Sequence, residues 1–150
     1  MTSITAISLH QPYASLLVHE AMPKIHETRS WPVPARLVGR TVLIHAAKRV
    51  HLDEDVALIC RQLWGLDWRG AIPRGAFVGT VIFGPPFRIT GERQAAGLQD
   101  VTAGDWTPGR WAWPTTARHQ FATPVAAPGR QGWWNAPISD LPEGARPWSE

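Results

Sequence analysis

The chain has 150 residues, 44% of them hydrophobic and 18% charged, which excludes a disordered or fibrous polypeptide and predicts one globular domain over residues 1–150. Its apolar runs are far shorter than a bilayer span, so no membrane association is expected; a net charge of +3 permits an anionic partner without requiring one. The N-terminus lacks a basic segment followed by a long apolar one, and the single cysteine, Cys60, cannot pair internally, so the cytoplasm is the expected compartment.

Fourteen prolines and thirteen glycines break the chain too often for many long helices. Residues 4–9 alternate as a first strand. Pro12 then opens a short helix to about Glu20, occupying the first helical position where its missing N–H costs nothing. Ala14, Leu17, Val18 and Ala21 make its apolar face. Residues 25–29 form a second strand, a proline-broken loop follows over 31–34, and 41–47 is a strong third strand. The one long helix starts near Asp53. Leu52, Val56, Ile59 and Leu63 recur at helical spacing, Asp53, Glu54 and Asp55 suit its N-terminal end, and Gly65 stops it. Cys60 lies on its apolar side, as a buried small hydrophobe rather than a nucleophile. Residues 76–83 are apolar on both faces, the pattern of a central strand. A polar segment covers 90–108, two short closing strands are expected around 109–113 and 132–134, and residues 142–150 read as a tail.

Chemistry-bearing residues concentrate in the first fifth of the chain. Strand parity places Ile25, Glu27 and Arg29 on one face and His26 and Thr28 on the other. Lys24 has the opposite parity from Glu27, but it follows Pro23, which cannot donate to a ladder, so a turn can swing it inward beside Glu27 and Arg29. An ordinary salt bridge accounts for the same spacing equally well. His10 and Gln11 precede the proline-started helix, where free N–H groups make an anion site; alternatively, Gln11 simply caps the helix. His45 and Lys48, with Arg49, end the third strand and either line a pocket mouth or solvate a reversal. Nine tryptophans are the compositional outlier. Trp31, Trp111, Trp113, Trp133 and Trp134 interleave with Arg29, Arg110 and Arg130, a pairing suited to stacking bases and holding phosphates, although core packing claims more than half of the tryptophans. The six histidines are scattered and no zinc motif occurs, so neither metal nor cofactor is expected.

Three segments carry a resemblance. Residues 8–18 (Ser-Leu-His-Gln-Pro-Tyr-Ala-Ser-Leu-Leu-Val), 24–31 (Lys-Ile-His-Glu-Thr-Arg-Ser-Trp) and 43–48 (Leu-Ile-His-Ala-Ala-Lys) resemble the ASCH domain family. The likeness extends through 75–81, 109–113 and 129–135, nearly the whole chain. It implies an α+β class and a PUA-like fold, a small mixed β-barrel with two or three flanking helices. It also implies a cleft lined by a Lys-x-x-Glu-x-Arg element, here Lys24, Glu27 and Arg29. The family usually has a glycine two residues before that lysine and a shorter turn; residues 20–23 depart from this by about two extra residues.

The resemblance implies two classes of activity. One is a module that binds nucleic acid, RNA first, or a modified nucleoside, through His10, Gln11, Tyr13, Lys24, Glu27, Arg29, Trp31, His45, Lys48, Trp111 and Trp113. The other is a hydrolase, either an amidohydrolase acting on N4-acylated cytidine or a ribonuclease, with Lys24 and Glu27 as the catalytic pair. A smaller relative has a threonine where this chain has Glu27, which removes the expected nucleophile. Between two cations Glu27 stays ionised, which suits binding better than base catalysis. The binding module therefore comes first, with single-stranded RNA or DNA or a modified nucleoside as partner. Lys24, Arg29, Lys48, Arg49, Arg110 and Arg130 are expected to form its positive face, and the oligomeric state stays open.

Overall fold

The structure is a computed structural model that describes residues 2–21, 23–51 and 53–142. Leu52, placed above on the long helix, and the expected tail beyond Pro142 lie outside the described residues. The described chain is α+β: seven strands in one sheet and four helices. No described helix is long and apolar enough to cross a membrane.

Strand β1 (Ser3–Gln11) extends the expected strand at both ends. Helix α1 (Tyr13–Val18) is shorter than expected, and Pro12 stands just before it rather than inside it, following a cis peptide bond. Ala14, Leu17 and Val18 are buried as the spacing predicts, whereas Ala21 lies beyond the helix end and is exposed. Strand β2 (His26–Arg29) and strand β3 (Thr41–Val50) follow. Helix α2 (Glu54–Trp64) starts where the acidic run indicated: Asp53 caps it, its carboxylate accepting from the N–H groups of Asp55 and Val56, and Gly65 ends it at a φ of 90° that suits glycine. Cys60 is buried on its inner side. A short helix α3 (Trp68–Ala71) and strand β4 (Ala76–Phe83) come next.

The last third departs most from expectation. A two-residue strand β5 (Phe87–Arg88) follows, and a short helix α4 (Leu98–Thr102) organises the segment over 90–108 read as merely polar. Strand β6 (Trp111–Ala126) then runs for 16 residues, where only a short closing strand was expected. Strand β7 (Trp133–Pro137) ends the sheet.

The strand order is β2-β6-β4-β3-β1-β7, with β5 also paired to β6. Among the described residues only β1 and β3 are parallel; the other ladders are antiparallel. The sheet is open: among the described residues no ladder joins β2 to β7. Strand β6 pairs β2 and β5 through its first residues and β4 through the rest, so it joins two sections of the sheet. Apolar side chains cover both faces. Ile7, Leu9, Val42, Ile44 and Val81 pack with Leu17 and Val18 of α1, and Ile4, Ala6, Leu43, Phe77 and Phe121 pack on the other side. Leu16 turns away from that core to meet Val56, Cys60, Trp68 and Ala103, fastening α2 and the end of α4 to α1.

Candidate cleft between the first strand and the Lys24–Arg29 segment

The segment from Lys24 to Arg29 is held at both ends. Its far edge pairs with β6, Glu27 opposite Trp113 and Arg29 opposite Trp111. Its start is fixed by Asp100, whose Oδ1 accepts from the backbone N–H groups of Ile25 and His26, both at 2.9 Å. Asp100 Oδ2 lies 2.7 Å from the His26 ring and also accepts from the N–H of Ala96. His26 and Thr28 therefore face the 98–110 segment, where Thr28 Oγ1 accepts from the N–H of Asp105. Glu27 and Arg29 face the other way, as strand parity requires.

On that face the two residues meet Lys24. Lys24 Nζ donates to Glu27 Oε1 at 3.3 Å and to the carbonyl of Ala103 at 2.8 Å. Arg29 Nε donates to Glu27 Oε2 at 2.8 Å. Lys24 is only 2% exposed, and its ammonium also lies 5.2 Å from the centre of the Tyr13 ring, a cation–π distance. Burial alone would raise the Glu27 carboxyl; the charges and hydrogen bonds of Lys24 and Arg29 outweigh it and hold the group below its ordinary value. Burial, with Asp53 and Glu27 adding to it, pushes the Tyr13 hydroxyl up to about 12, so Tyr13 is a neutral wall that still donates. Burial first, then Arg49, His51 and Arg29, lowers His10 despite the opposing pull of Glu27; at neutral pH its imidazole is uncharged.

These side chains line a cleft of about 530 Å³, a size that takes a nucleoside-sized molecule. Ser8, His10 and Tyr13 form one wall, Lys24, Glu27, Thr28 and Arg29 the floor, and Thr102 to Asp105 with Arg110 the other wall. Arg110 is tied in place by the Ser30 hydroxyl and the carbonyls of Thr28 and Asp105. Arg110 was expected on the positive face, but Thr102 to Asp105 were missed from sequence because they lie in the segment read only as polar, whose contacts to β2 span more than 70 residues.

The other expected site residues divide. Gln11 is fully buried: its Oε1 accepts from the N–H of Ser15, and its amide donates to the Ser15 hydroxyl and the carbonyl of Pro73. It caps α1, the second of its two readings. His45 is also away from this cleft. It is not among the lining residues, and its buried ring is engaged by Ser8 Oγ at 3.1 Å and the carbonyl of Ala127 at 2.7 Å. No residue of β3 lines the cleft, so the second and third strands do not border it together. Trp113 is core, stacked on Trp133 and edge-on to Phe83. Trp111 is half-buried under the Arg88 guanidinium. Trp31 is 53% exposed, with the Arg29 guanidinium 5.9 Å from its ring centre.

Of the expected positive face, Lys24, Arg29 and Arg110 lie in this cleft, Lys48 and Arg130 line a neighbouring one, and Arg49 is exposed outside both. Among the described residues no three His, Cys, Asp or Glu side chains stand together as a metal site. No family model matches the chain, and no curated protein was found to match it.

Proposed function

We propose that the chain is an ASCH-type domain of PUA-like architecture and that its cleft binds a nucleobase, either of a modified nucleoside or of single-stranded nucleic acid, RNA first. The observation that carries this reading is the Lys24–Glu27–Arg29 constellation: a carboxylate held ionised between two cations on the floor of a cleft of nucleoside size. A base offers donors and carbonyl acceptors on one edge. Glu27 accepts from an exocyclic amino group, as carboxylates do from cytosine, and the third N–H of Lys24, beyond those given to Glu27 and Ala103, donates to a ring nitrogen or carbonyl. Arg29 and Trp31 at the edge supply a surface for a flanking base.

A hydrolase using Lys24 as base has less support. An amine that takes a proton needs its lone pair aimed at the substrate, and Nζ is instead a donor to two protein acceptors. The test is equilibrium binding by fluorescence anisotropy, with short single-stranded RNA and DNA and with free nucleosides, at low salt. Lys24→Met and Arg29→Ala are expected to weaken binding of whichever ligand binds. Absence of binding to strands and nucleosides alike would refute the reading.

A further inference from the structure

A second cleft, of about 540 Å³, adjoins the first at the end of β1, where Ser8 and His10 line both. The two differ in charge. The first is lined by three cations, Lys24, Arg29 and Arg110, and three carboxylates, Glu27, Asp53 and Asp105. The second is lined by Lys48 and Arg130 and by no carboxylate, and among the described residues neither cation has an ion-pair partner. A balanced cleft suits a neutral polar group; an adjoining cleft with only positive charge suits an anion.

The second cleft is also shaped by its backbone. Its outer wall is the loop 128–132, and the N–H groups of Gly129, Arg130 and Gln131 donate to no backbone carbonyl of the described residues, so donors are present besides the two cations. The loop is pinned. His45 Nε2 must carry the proton that the carbonyl of Ala127 accepts, which leaves Nδ1 to accept from the Ser8 hydroxyl. Gly129 passes so close that a Cβ there would sit 2.6 Å from the His45 ring and 3.0 Å from Ser8 Oγ. The Lys48 stem lies over Gly75, where an added Cβ would meet Lys48 Cε at 3.4 Å.

We propose that the second cleft takes the phosphate of the nucleotide whose base occupies the first, with Lys48 and Arg130 as its cationic partners. The recognised ligand is then a nucleotide unit, not a nucleoside, and the chain crosses the end of β1 at His10. This inference rests on the reading of the first cleft as a base site. Both phosphate sources, a free mononucleotide and a strand, share the same chemistry.

The test is isothermal titration calorimetry at low salt with cytidine, cytidine 5′-monophosphate, cytidine 3′-monophosphate and the dinucleotide CpC, on the wild type and on Lys48→Ala/Arg130→Ala. Both replaced residues are exposed, and circular dichroism checks that the double variant is folded. At least one phosphorylated ligand is expected to bind about tenfold or more tighter than cytidine, the value of a charge-assisted contact. The double variant is expected to remove that advantage while leaving cytidine affinity unchanged. CpC binding tighter than both monophosphates identifies a strand as the source; equal affinity identifies the free nucleotide. Cytidine binding with no gain from phosphate, or a gain that survives in the double variant, would overturn this inference and leave the base site standing. Failure of all four ligands to bind would overturn this inference for cytosine nucleotides, and failure of the strands and other nucleosides as well would overturn the base site.

Discussion

Asp100 grips His26 from two directions, its Oδ1 accepting the backbone N–H at 2.9 Å and its Oδ2 meeting ring Nδ1 at 2.7 Å. The same carboxylate also accepts from the N–H groups of Ile25 and Ala96. It therefore ties the start of β2 to the segment that supplies Ala103, whose carbonyl receives Lys24. In Asp100→Asn one oxygen becomes an NH₂ group and faces donors. The expected cost is about 1–3 kcal/mol, the usual penalty for buried donors left without acceptors, read by urea denaturation. Ligand affinity should fall with it, because the variant loosens the floor of the cleft and the wall that carries Ala103, although Asp100 is not among the lining residues.

Acid stability follows from the same carboxylates. Asp100 and Glu27 are both held below their ordinary values: burial works against this, and hydrogen bonds from His26 and the Ala96 N–H at one, and the charges of Lys24 and Arg29 at the other, prevail. A depressed folded value means that the unfolded chain takes up the proton first, so their stabilisation is complete above the ordinary carboxylate range and drains away as pH falls through the folded values. Stability measured against pH should be level in this respect at neutral pH and decline below about pH 4.5. Glu27→Gln should flatten that decline. An unchanged slope in the variant would show that the Lys24–Glu27–Arg29 contact does not form.

The two ends of the Lys24–Glu27 pair should not be equivalent. Glu27→Gln leaves two cations facing each other, one of them only 2% exposed, and is expected to cost about 3–5 kcal/mol, as breaking a buried pair does. Lys24→Met leaves Glu27 with Arg29 and deprives the Ala103 carbonyl of its donor, for about 1–3 kcal/mol. Denaturation midpoints of the two variants in the same buffer give the ranking directly.

Salt separates charge from stacking. Binding to single-stranded RNA should weaken with salt at a slope near 0.7 per phosphate contacted, and Arg29→Ala should reduce that slope if Arg29 meets a phosphate rather than a base. Trp31→Ala should weaken binding by about 1–3 kcal/mol while keeping the slope, since a stacked ring releases no counterions. Anisotropy titrations at three salt concentrations check both.

Local pattern carried the early elements. Residues 76–83 coincide with β4, and the acidic run with Gly65 delimited α2. Parity placed Glu27 and Arg29 together, and the proline before Lys24 was the sign that parity would not hold there. What escaped was non-local. Prolines break strands as a rule, yet β6 carries two, Pro114 and Pro124. Pro114 sits where the strand changes partner, opposite His26 and next to the Thr115–Phe83 pair, and Pro124 falls in the irregular stretch between the Gln120–Gly79 and Val125–Phe77 pairs, where a missing N–H is tolerated. Asp100 in α4 looks like any acidic residue in a first helical turn; only the fold brings His26 to it. The fate of His45 was equally hidden, because its partner Ala127 is 82 residues away, whereas Gln11 could be read as a cap because Ser15 is its neighbour on the next turn.

Strand β6 makes the molecule thermodynamically uneven. Its long stretch against β4 lies in the middle of the sheet, whereas β2 hangs on four residue pairs at the sheet's edge, held from behind by Asp100. The Lys24–Arg29 floor and the 98–110 wall can peel away as a unit while the β1–β3–β4 centre stays intact. Native-state hydrogen exchange should record this as two tiers. The amides of Ile25 and His26, bonded to the Asp100 carboxylate, should exchange through a low-energy opening that ligand suppresses. Those of Leu43, Ile44 and Val81 should wait for global unfolding.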